Sequence, residues 1–347
     1  MRWGRGLLSR FFCNILKLSL SSLIQIKMQT PKYSLIIPVY NRPFEMDELL
    51  ASLVLQTFRN FEVIIVEDGS VLDSKEVVNK YLLQLNVNYF YKPNSGPGPS
   101  RNFGFDKANG EYLIVFDSDC IVPPSYLTTV DNFLQLSPLD VWGGPDRGSP
   151  DFTPKQQAMA YTMSSVFTTG GIRGGKSKDF QPRSFNMGMS RDVYKNTGGF
   201  LLDRFAEDIE FSIRAKNLGM KVGLIPQAYV FHKRRTDFKQ FFKQVSNFGR
   251  GRIQVGRVHP DAVKLAHWFP AAFSIGLILL PFSFLIAPFF GILGVFGYVF
   301  YFFIIGAHAY TTTGSILVGT LSIPSAFIQL TGYGYGFIKE LFVPRGR

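Results

Sequence analysis

The chain has 347 residues, a formal net charge of +12 and two cysteines. Cys13 and Cys120 are too few for a disulfide framework or a cysteine zinc site, so we expect a reducing, cytoplasmic setting. Charged and apolar residues are mixed up to about Lys264, whereas residues 265–338 contain no Asp, Glu, Lys or Arg. Because about 20 apolar residues span a bilayer, this tract has room for two or three crossings. The composition predicts a water-exposed domain followed by a membrane region.

Residues 1–30 are a basic extension ahead of the first predicted strand. Their basic beginning and apolar core at 7–26 are typical of a signal sequence, but Asn14 and Lys17 interrupt the core and no small-residue cleavage site follows. We therefore expect an amphipathic surface helix, or a segment upstream of a true start at Met28.

Strands and helices alternate from residue 33. Residues 33–39 and 61–66 are apolar runs typical of buried strands, and 45–56 between them show helical spacing of leucines. A helix at 74–85 and a short strand at 87–91 continue the alternation. Such a unit predicts a parallel sheet with a ligand crevice at the carboxyl ends of its strands.

A loop rich in Gly and Pro, residues 94–104, follows this unit. It allows close approach of the backbone to a ligand, contains Arg101 and opens a helix whose first amides suit phosphate. The next apolar run, 112–116, ends in Asp117 and Asp119. Side chains at i and i+2 of an extended segment point to one side, so both carboxylates can face one divalent cation.

Four stretches in this order resemble the family 2 glycosyltransferases with the GT-A fold. They are Ile36-Ile37-Pro38-Val39-Tyr40-Asn41-Arg42, Val66-Glu67-Asp68-Gly69-Ser70, Gly96-Pro97-Gly98-Pro99-Ser100-Arg101-Asn102 with Gly104, and Asp117-Ser118-Asp119. The resemblance covers roughly residues 32–257. It implies an α/β fold, Rossmann-like with a mostly parallel sheet flanked by helices, in a catalytic domain at 31–232.

The resemblance also implies a nucleotide-sugar site for a UDP- or GDP-sugar donor. The positions that match residues binding the base and ribose are Pro38, Tyr40 and Asp68, and Arg101 matches a residue near the donor, which we expect to contact phosphate. Asp117 and Asp119 would bind the donor diphosphate through Mg²⁺ or Mn²⁺.

Further matches lie after the aspartate pair. Residues 185–190 resemble the floor beneath the donor sugar, and Asp208, with Glu207 beside it, matches the general base at the start of a helix. His232 matches a further metal ligand of some members. Before the floor, residues 151–175 form a polar, Gly-rich insertion, which is either a solvated linker or a mobile loop over the substrate hinged by glycines around Arg173.

Residues 233–264 are a basic segment with the pattern of an amphipathic membrane-surface helix. Its cations up to residue 257 are Lys233, Arg234, Arg235, Lys239, Lys243, Arg250, Arg252 and Arg257. Such charge beside an apolar tract favours anionic lipid and the cytoplasmic side rather than nucleic acid. The segment lacks the Gln-x-x-Arg-Trp motif of processive polysaccharide synthases, which argues against a cellulose-synthase-like enzyme.

Residues 265–347 are the predicted membrane region. Spans are expected at 268–287 and 289–305, with Pro288 in the turn, and a third candidate at 315–338 is diluted by polar residues. Basic residues at both ends favour an even number of crossings. We therefore favour two spans with a third interfacial segment, and three spans stay open.

The sequence as a whole predicts an inverting glycosyltransferase of the inner membrane, with its catalytic domain in the cytoplasm. Its acceptor would be the hydroxyl of a glycan, most simply a lipid-linked one. Transfer onto polyprenyl phosphate, as in dolichyl-phosphate-mannose-synthase-like enzymes, is the alternative within this class. A membrane scaffold without activity is the alternative outside it, and a transporter is disfavoured because the apolar tract carries no buried charges.

Overall fold

The computed structural model of the chain describes residues 30–147, 152–170, 180–233 and 235–344. The predicted extension up to Met28, Cys13 and the hinge around Arg173 lie outside the described residues, as do Arg234 and the last three residues.

Seven strands form the main sheet, in the order β3-β2-β1-β4-β8-β6-β9. Their bounds are Tyr33–Val39 (β1), Phe61–Asp68 (β2), Val87–Lys92 (β3), Tyr112–Phe116 (β4), Val141–Gly143 (β6), Asn186–Ser190 (β8) and Val222–Leu224 (β9). Neighbours among β1 to β4 pair in parallel, as do β6 and β9, while β8 runs antiparallel to β4 and β6. The prediction of a mostly parallel sheet is confirmed.

A second sheet of three short strands lies beside the first, in the order β5-β10-β7. They are Cys120–Ile121 (β5), Asp146–Arg147 (β7) and Val230–His232 (β10). β10 pairs antiparallel with β5 so that His232 lies opposite Cys120. This pairing brings His232 to the residue that follows Asp119.

Helices flank the main sheet, and apolar residues are buried on both of its faces. The helices are Pro43–Val54 (α1), Lys75–Asn79 (α2), Pro97–Lys107 (α3), Tyr126–Leu136 (α4), Pro154–Ser164 (α5), Val166–Thr169 (α6), Arg191–Thr197 (α7) and Glu207–Asn217 (α8). All eight residues of β2 are buried, as its apolar sequence predicts. The α/β fold class is confirmed.

Two local predictions are wrong. The helix expected at 74–85 ends at Asn79, because Leu82 and Leu83 are exposed and provide no apolar face that could pack. The described part of the insertion expected as a loop forms α5 and α6. A capping box between Thr153 and Gln156 begins α5, whose apolar side packs against the carboxyl-terminal helices.

Four long helices complete the chain. Phe238–Val258 (α9) is followed by two short 3₁₀ turns, Pro260–Ala262 and Leu265–Trp268, and then by Phe269–Ile286 (α10), Pro288–Thr313 (α11) and Ile316–Leu341 (α12). By length and composition, α10 (together with the preceding turn), α11 and α12 are each able to cross a membrane. Pro288 is the first residue of α11 rather than part of a turn, which suits a residue without an N–H.

The third apolar helix is continuous, although polar residues lower its mean hydropathy to 1.3, against 2.1 for the other two. The dilution has a structural reason: Ser322, Ser325 and Gln329 are buried inside the protein. Three helices of spanning length are therefore present among the described residues, which is the upper number left open by the sequence.

The basic helix α9 packs on α12 and does not present its whole apolar face to lipid. Gly249 touches the backbone of Tyr333, and Gly336 lies so close to Ser246 that an added Cβ would be 1.9 Å from its carbonyl oxygen. Buried Glu340 accepts hydrogen bonds from Arg250 at 2.8 Å and Gln254 at 2.9 Å. Protein thus covers much of the apolar side of α9, and the location of this helix at a membrane surface stays a prediction.

Candidate active site

The carboxyl ends of β1, β2 and β4 meet at one edge of the sheet and open into a cleft of about 2460 Å³. Pro38, Tyr40 and Asp68 line this cleft, as the sequence predicted, together with Asp117 and Asp119. The volume exceeds the 300–1,000 Å³ of common small-molecule pockets, so the cleft has room for two substrates.

Asp68 is buried and organises the loop that precedes α3. Its carboxylate accepts hydrogen bonds from the amides of Ser95 and Gly96, both at 2.9 Å, and forms an ion pair with Lys92. Burial raises the pKa of Asp68, but these hydrogen bonds and the Lys92 charge outweigh it and hold the pKa below its usual value. Tyr40, by contrast, is 52% exposed, so its ring is accessible to a ligand.

Asp117 and Asp119 lie in a turn between β4 and β5 rather than in an extended segment. Their carboxylates consequently have different partners. Asp117 pairs with Arg101 at 2.8 Å, whereas Asp119 pairs with Arg42 and lies 3.1 Å from His232 Nε2. The expected arrangement on one side of a strand is therefore replaced by a turn.

The surroundings of Asp119 keep its own carboxylate ionised. Burial raises the pKa of this carboxyl, but the hydrogen bond with His232 and the charges of Arg42 and Arg235 lower it well below the usual range. The group therefore stays ionised, as a metal ligand must be.

Potential ligand atoms of Asp119, Cys120 and His232 lie within 4.8 Å of one another. Cys120 was not predicted as a ligand. Burial raises the pKa of its thiol well above the usual value, and its Sγ lies 3.5 Å from the carbonyl of Phe185, so it is held as a thiol and is a poor ligand. The Asp119 carboxylate is the type of ligand that Mg²⁺ and Mn²⁺ prefer. His232 would add a nitrogen ligand, and its ring is held by stacking on Phe185 at 5.0 Å.

Arg101 is placed differently from the expected phosphate contact. Its guanidinium is buried between Asp117 at 2.8 Å and Glu207 at 2.5 Å. Burial raises the pKa of Glu207, and the Asp208 charge adds to this increase, while Arg101 opposes it. Glu207 is thus a buried ion-pair partner, which leaves Asp208 as the more accessible carboxylate of the two.

Asp208 lies in the first turn of α8 and lines the same cleft as the aspartate pair. It accepts hydrogen bonds from the amides of Ile209 at 2.8 Å and Ser184 at 3.2 Å, and Arg183 lies 3.8 Å away. The preceding Ala206 has a left-handed backbone with φ of 57°, which is strained for a residue with a Cβ and recurs at functional sites.

The cleft continues beyond Asp208 to residues that the sequence analysis did not assign to the site. They include Arg183, Arg252, Lys264, His267, Gln329 and Tyr333. Arg252 belongs to the basic segment that the sequence assigned to lipid, and α9 turns it towards the cleft instead. The sequence showed only that this segment is basic, and charge alone does not tell which way a side chain points.

Two family models match the chain. Glycosyl transferase family 2 matches residues 34–198, and Glycosyl transferase family group 2 matches residues 184–319. Together they cover most of the residues that line the cleft and the apolar helices α10 and α11.

Similar proteins agree with this family. A glycosyltransferase of Rickettsia felis is 42% identical over 88 residues, which is 25% of this chain and 15% of that protein. The matching segments span only 13–15% of the first curated relatives. The glycosyltransferase AglE of Haloferax volcanii is 25% identical over 72% of this chain and 82% of its own length.

Among solved structures, the fold is similar to that of a mannosyltransferase from Pyrobaculum calidifontis, PcManGT, in complex with GDP-Man and Mn²⁺. The TM-score is 0.63 at 16% identity, and the alignment covers 91% of this chain and 88% of the other. With the fold, the cleft and both family models in agreement, the chain belongs to the family 2 glycosyltransferases.

Proposed function

We propose that this protein transfers a sugar from a UDP- or GDP-sugar to the hydroxyl of a lipid-linked glycan, with inversion at the anomeric carbon. The observation that carries the proposal is that Asp208 lines one cleft with Asp117 and Asp119. A single displacement needs a base on one side of the anomeric carbon and a binding site for the departing diphosphate on the other.

The donor half of the proposal rests on the strand edge. Pro38, Tyr40 and Asp68 would bind the base and ribose, and Asp117, Asp119 and His232 would hold Mg²⁺ or Mn²⁺. The cation, when bound, offsets the charge that builds on the departing nucleoside diphosphate. The complex of PcManGT with GDP-Man and Mn²⁺ supports a donor and a cation of this kind.

The acceptor half rests on Asp208. A sugar hydroxyl is a poor nucleophile until a carboxylate within hydrogen-bond reach removes its proton. In this mechanism Asp208 takes that proton as the new C–O bond forms. Glu207, paired with buried Arg101, holds the first turn of α8 against the donor edge and so positions Asp208.

Membrane attachment is the basis for a lipid-linked acceptor. The apolar helices α10 to α12 would anchor the protein in the inner membrane, and the cations of α9 favour the cytoplasmic side, where nucleotide sugars are available. A lipid-linked substrate would then reach the cleft from the bilayer.

Transfer onto polyprenyl phosphate is a second candidate, favoured by the position of Arg183 only 3.8 Å from Asp208. A phosphate acceptor is already anionic and needs no base, so arginine would be the useful partner there and Asp208 would be dispensable.

The experiment uses the full chain in lipid nanodiscs with a panel of UDP- and GDP-sugars and lipid-linked glycans extracted from membranes. Metal-dependent release of nucleoside diphosphate, abolished by Asp119→Ala and Asp208→Asn but retained by Asp203→Asn, supports the proposal. Asp203 is an exposed carboxylate just before α8 and serves as the matched control. Full activity of Asp208→Asn on polyprenyl phosphate supports the second candidate, and no turnover with any pair supports a scaffold.

A further inference from the structure

Two buried polar side chains that line the cleft each have one atom without a hydrogen-bond partner among the described residues. His267 is 7% exposed, and its Nδ1 accepts a hydrogen bond from the Lys264 amide at 2.9 Å, so the proton of the neutral ring is on Nε2. Nε2 itself has no hydrogen-bond partner among the described residues, nor has Oε1 of Gln329, which is 8% exposed. Buried polar atoms are nearly always hydrogen-bonded, so a ligand that accepts from Nε2–H and donates to Oε1 would satisfy both.

A cation lies beside these groups. Arg252 is hydrogen-bonded to Tyr333 and donates to the Ala262 carbonyl at 3.5 Å, and its charge interacts with those of Arg183 and Asp208 and acts on His267. Burial and the positive charge of Arg183 lower the pKa of Arg252. An anion bound here would reduce the repulsion between the two arginines and accept a hydrogen bond from His267 Nε2–H.

The walls of the same region are apolar. Phe269 and Pro270, at the start of α10, and Leu330 of α12 line the cleft next to Gln329. The region thus combines an anion-binding side with the first turns of helices of spanning length, at the boundary between the catalytic domain and the apolar helices. A free phosphate would use only the first of these features.

We infer that Arg252 and His267 bind the phosphate of a lipid phosphate or diphosphate, with its apolar chain along Phe269 and Leu330, while Gln329 Oε1 accepts a hydrogen bond from a hydroxyl of the sugar attached to it. The sugar attached to that phosphate then extends towards Asp208. The inference deepens the proposed function, on which it rests for the role of this lipid as acceptor. The donor diphosphate belongs to the other end of the cleft, at Asp117 and Asp119.

The test is calorimetric titration of the full chain in detergent with farnesyl diphosphate, inorganic pyrophosphate and farnesol, in EDTA and without donor. We expect farnesyl diphosphate to bind most tightly, and Arg252→Gln and His267→Ala each to weaken it at least about 10-fold, the loss typical of a charge-assisted hydrogen bond. Lys239→Gln removes an exposed cation from the same helix outside the cleft and should leave binding unchanged. The thermal unfolding midpoints of the variants show whether they are folded.

Three results overturn the inference. If inorganic pyrophosphate binds as tightly as farnesyl diphosphate, the apolar chain makes no contribution. If farnesol binds as tightly, the phosphate makes none. If Asp119→Asn weakens binding and Arg252→Gln does not, the ligand binds at Asp117 and Asp119 instead. The titration needs neither donor nor turnover. Either experiment can therefore succeed while the other fails, so the two proposals are tested independently.

Discussion

Arg101 of α3 and Glu207 of α8 are 106 residues apart in sequence and form a buried ion pair, with side chains only 4% and 8% exposed. The same guanidinium binds Asp117 at 2.8 Å. One cation therefore links the carboxylate at the end of β4 to the first turn of the helix that carries Asp208. Both halves of the candidate site depend on it.

Replacing Arg101 by Gln should destabilise the protein strongly. The change leaves Glu207 as a buried charge without its cation, which typically costs about 3–5 kcal/mol. The thermal unfolding midpoint of the full chain in detergent measures the loss. Lys107→Gln, an exposed change on the same helix, is the control and should cost less than about 1 kcal/mol. Equal midpoints for the two variants would show that the ion pair carries no stability.

The pH dependence of Arg101→Gln should differ from that of the wild type. Without Arg101, the pKa of Glu207 should rise further, because burial and the Asp208 charge raise it and only a backbone hydrogen bond remains to lower it. The folded state then binds more protons than the unfolded state between that raised pKa and the usual value of about 4.3, so stability increases as pH falls. Unfolding midpoints across this interval should therefore converge towards the wild type on acidification. Parallel curves would contradict this assignment.

Asp208→Asn should lower kcat by about 10²- to 10⁴-fold, the usual contribution of a general base, with little change in KM for the donor. The amide keeps the shape of the side chain but accepts no proton. Steady-state turnover with a hydroxyl acceptor measures this, and Asp203→Asn should behave as wild type. A rise in donor KM with unchanged kcat would instead assign Asp208 to donor binding.

His232→Ala should weaken Mn²⁺ binding about 10-fold or more, because it removes one proposed ligand and the hydrogen bond that orients Asp119. Electron paramagnetic resonance of Mn²⁺ reports the free ion directly and needs no turnover. His259→Ala is the matched control, since His259 pairs with Glu210 at 3.3 Å rather than with the aspartates. The same affinity loss in both variants would count against a ligand role for His232.

Gly336→Ala should disrupt the packing of α9 on α12. The added Cβ would lie 1.9 Å from the Ser246 carbonyl oxygen, so the helices must separate, at a cost of about 1–3 kcal/mol. At Gly297 of α11, nothing lies within 4 Å of an added Cβ, so Gly297→Ala is the matched control. A lower unfolding midpoint for the first variant alone is the expected result, and unchanged midpoints for both would show that the contact is dispensable.

Much of the fold could be predicted because burial leaves a pattern in the sequence. The apolar runs of β1, β2 and β4 predict strands buried on both faces, and the charge-free tract predicts the long apolar helices. The predicted length of α2 was wrong because helical spacing at Leu82 and Leu83 does not reveal whether another part of the protein packs against them. The insertion was called a loop from its polar and glycine residues, yet contact with α9 and α12 stabilises α5.

The sequence by itself determined the order of most elements and the family, and it predicted the carboxylates of the site, since these depend on residue types and local spacing. Only the tertiary structure decided the partners: Arg101 with Glu207, His232 with Asp119, and α9 with α12 rather than lipid. It also brought Arg252, His267 and Gln329 to one end of the cleft. These relations depend on the packing of distant segments, and residue type and spacing along the chain carry no information about direction in space.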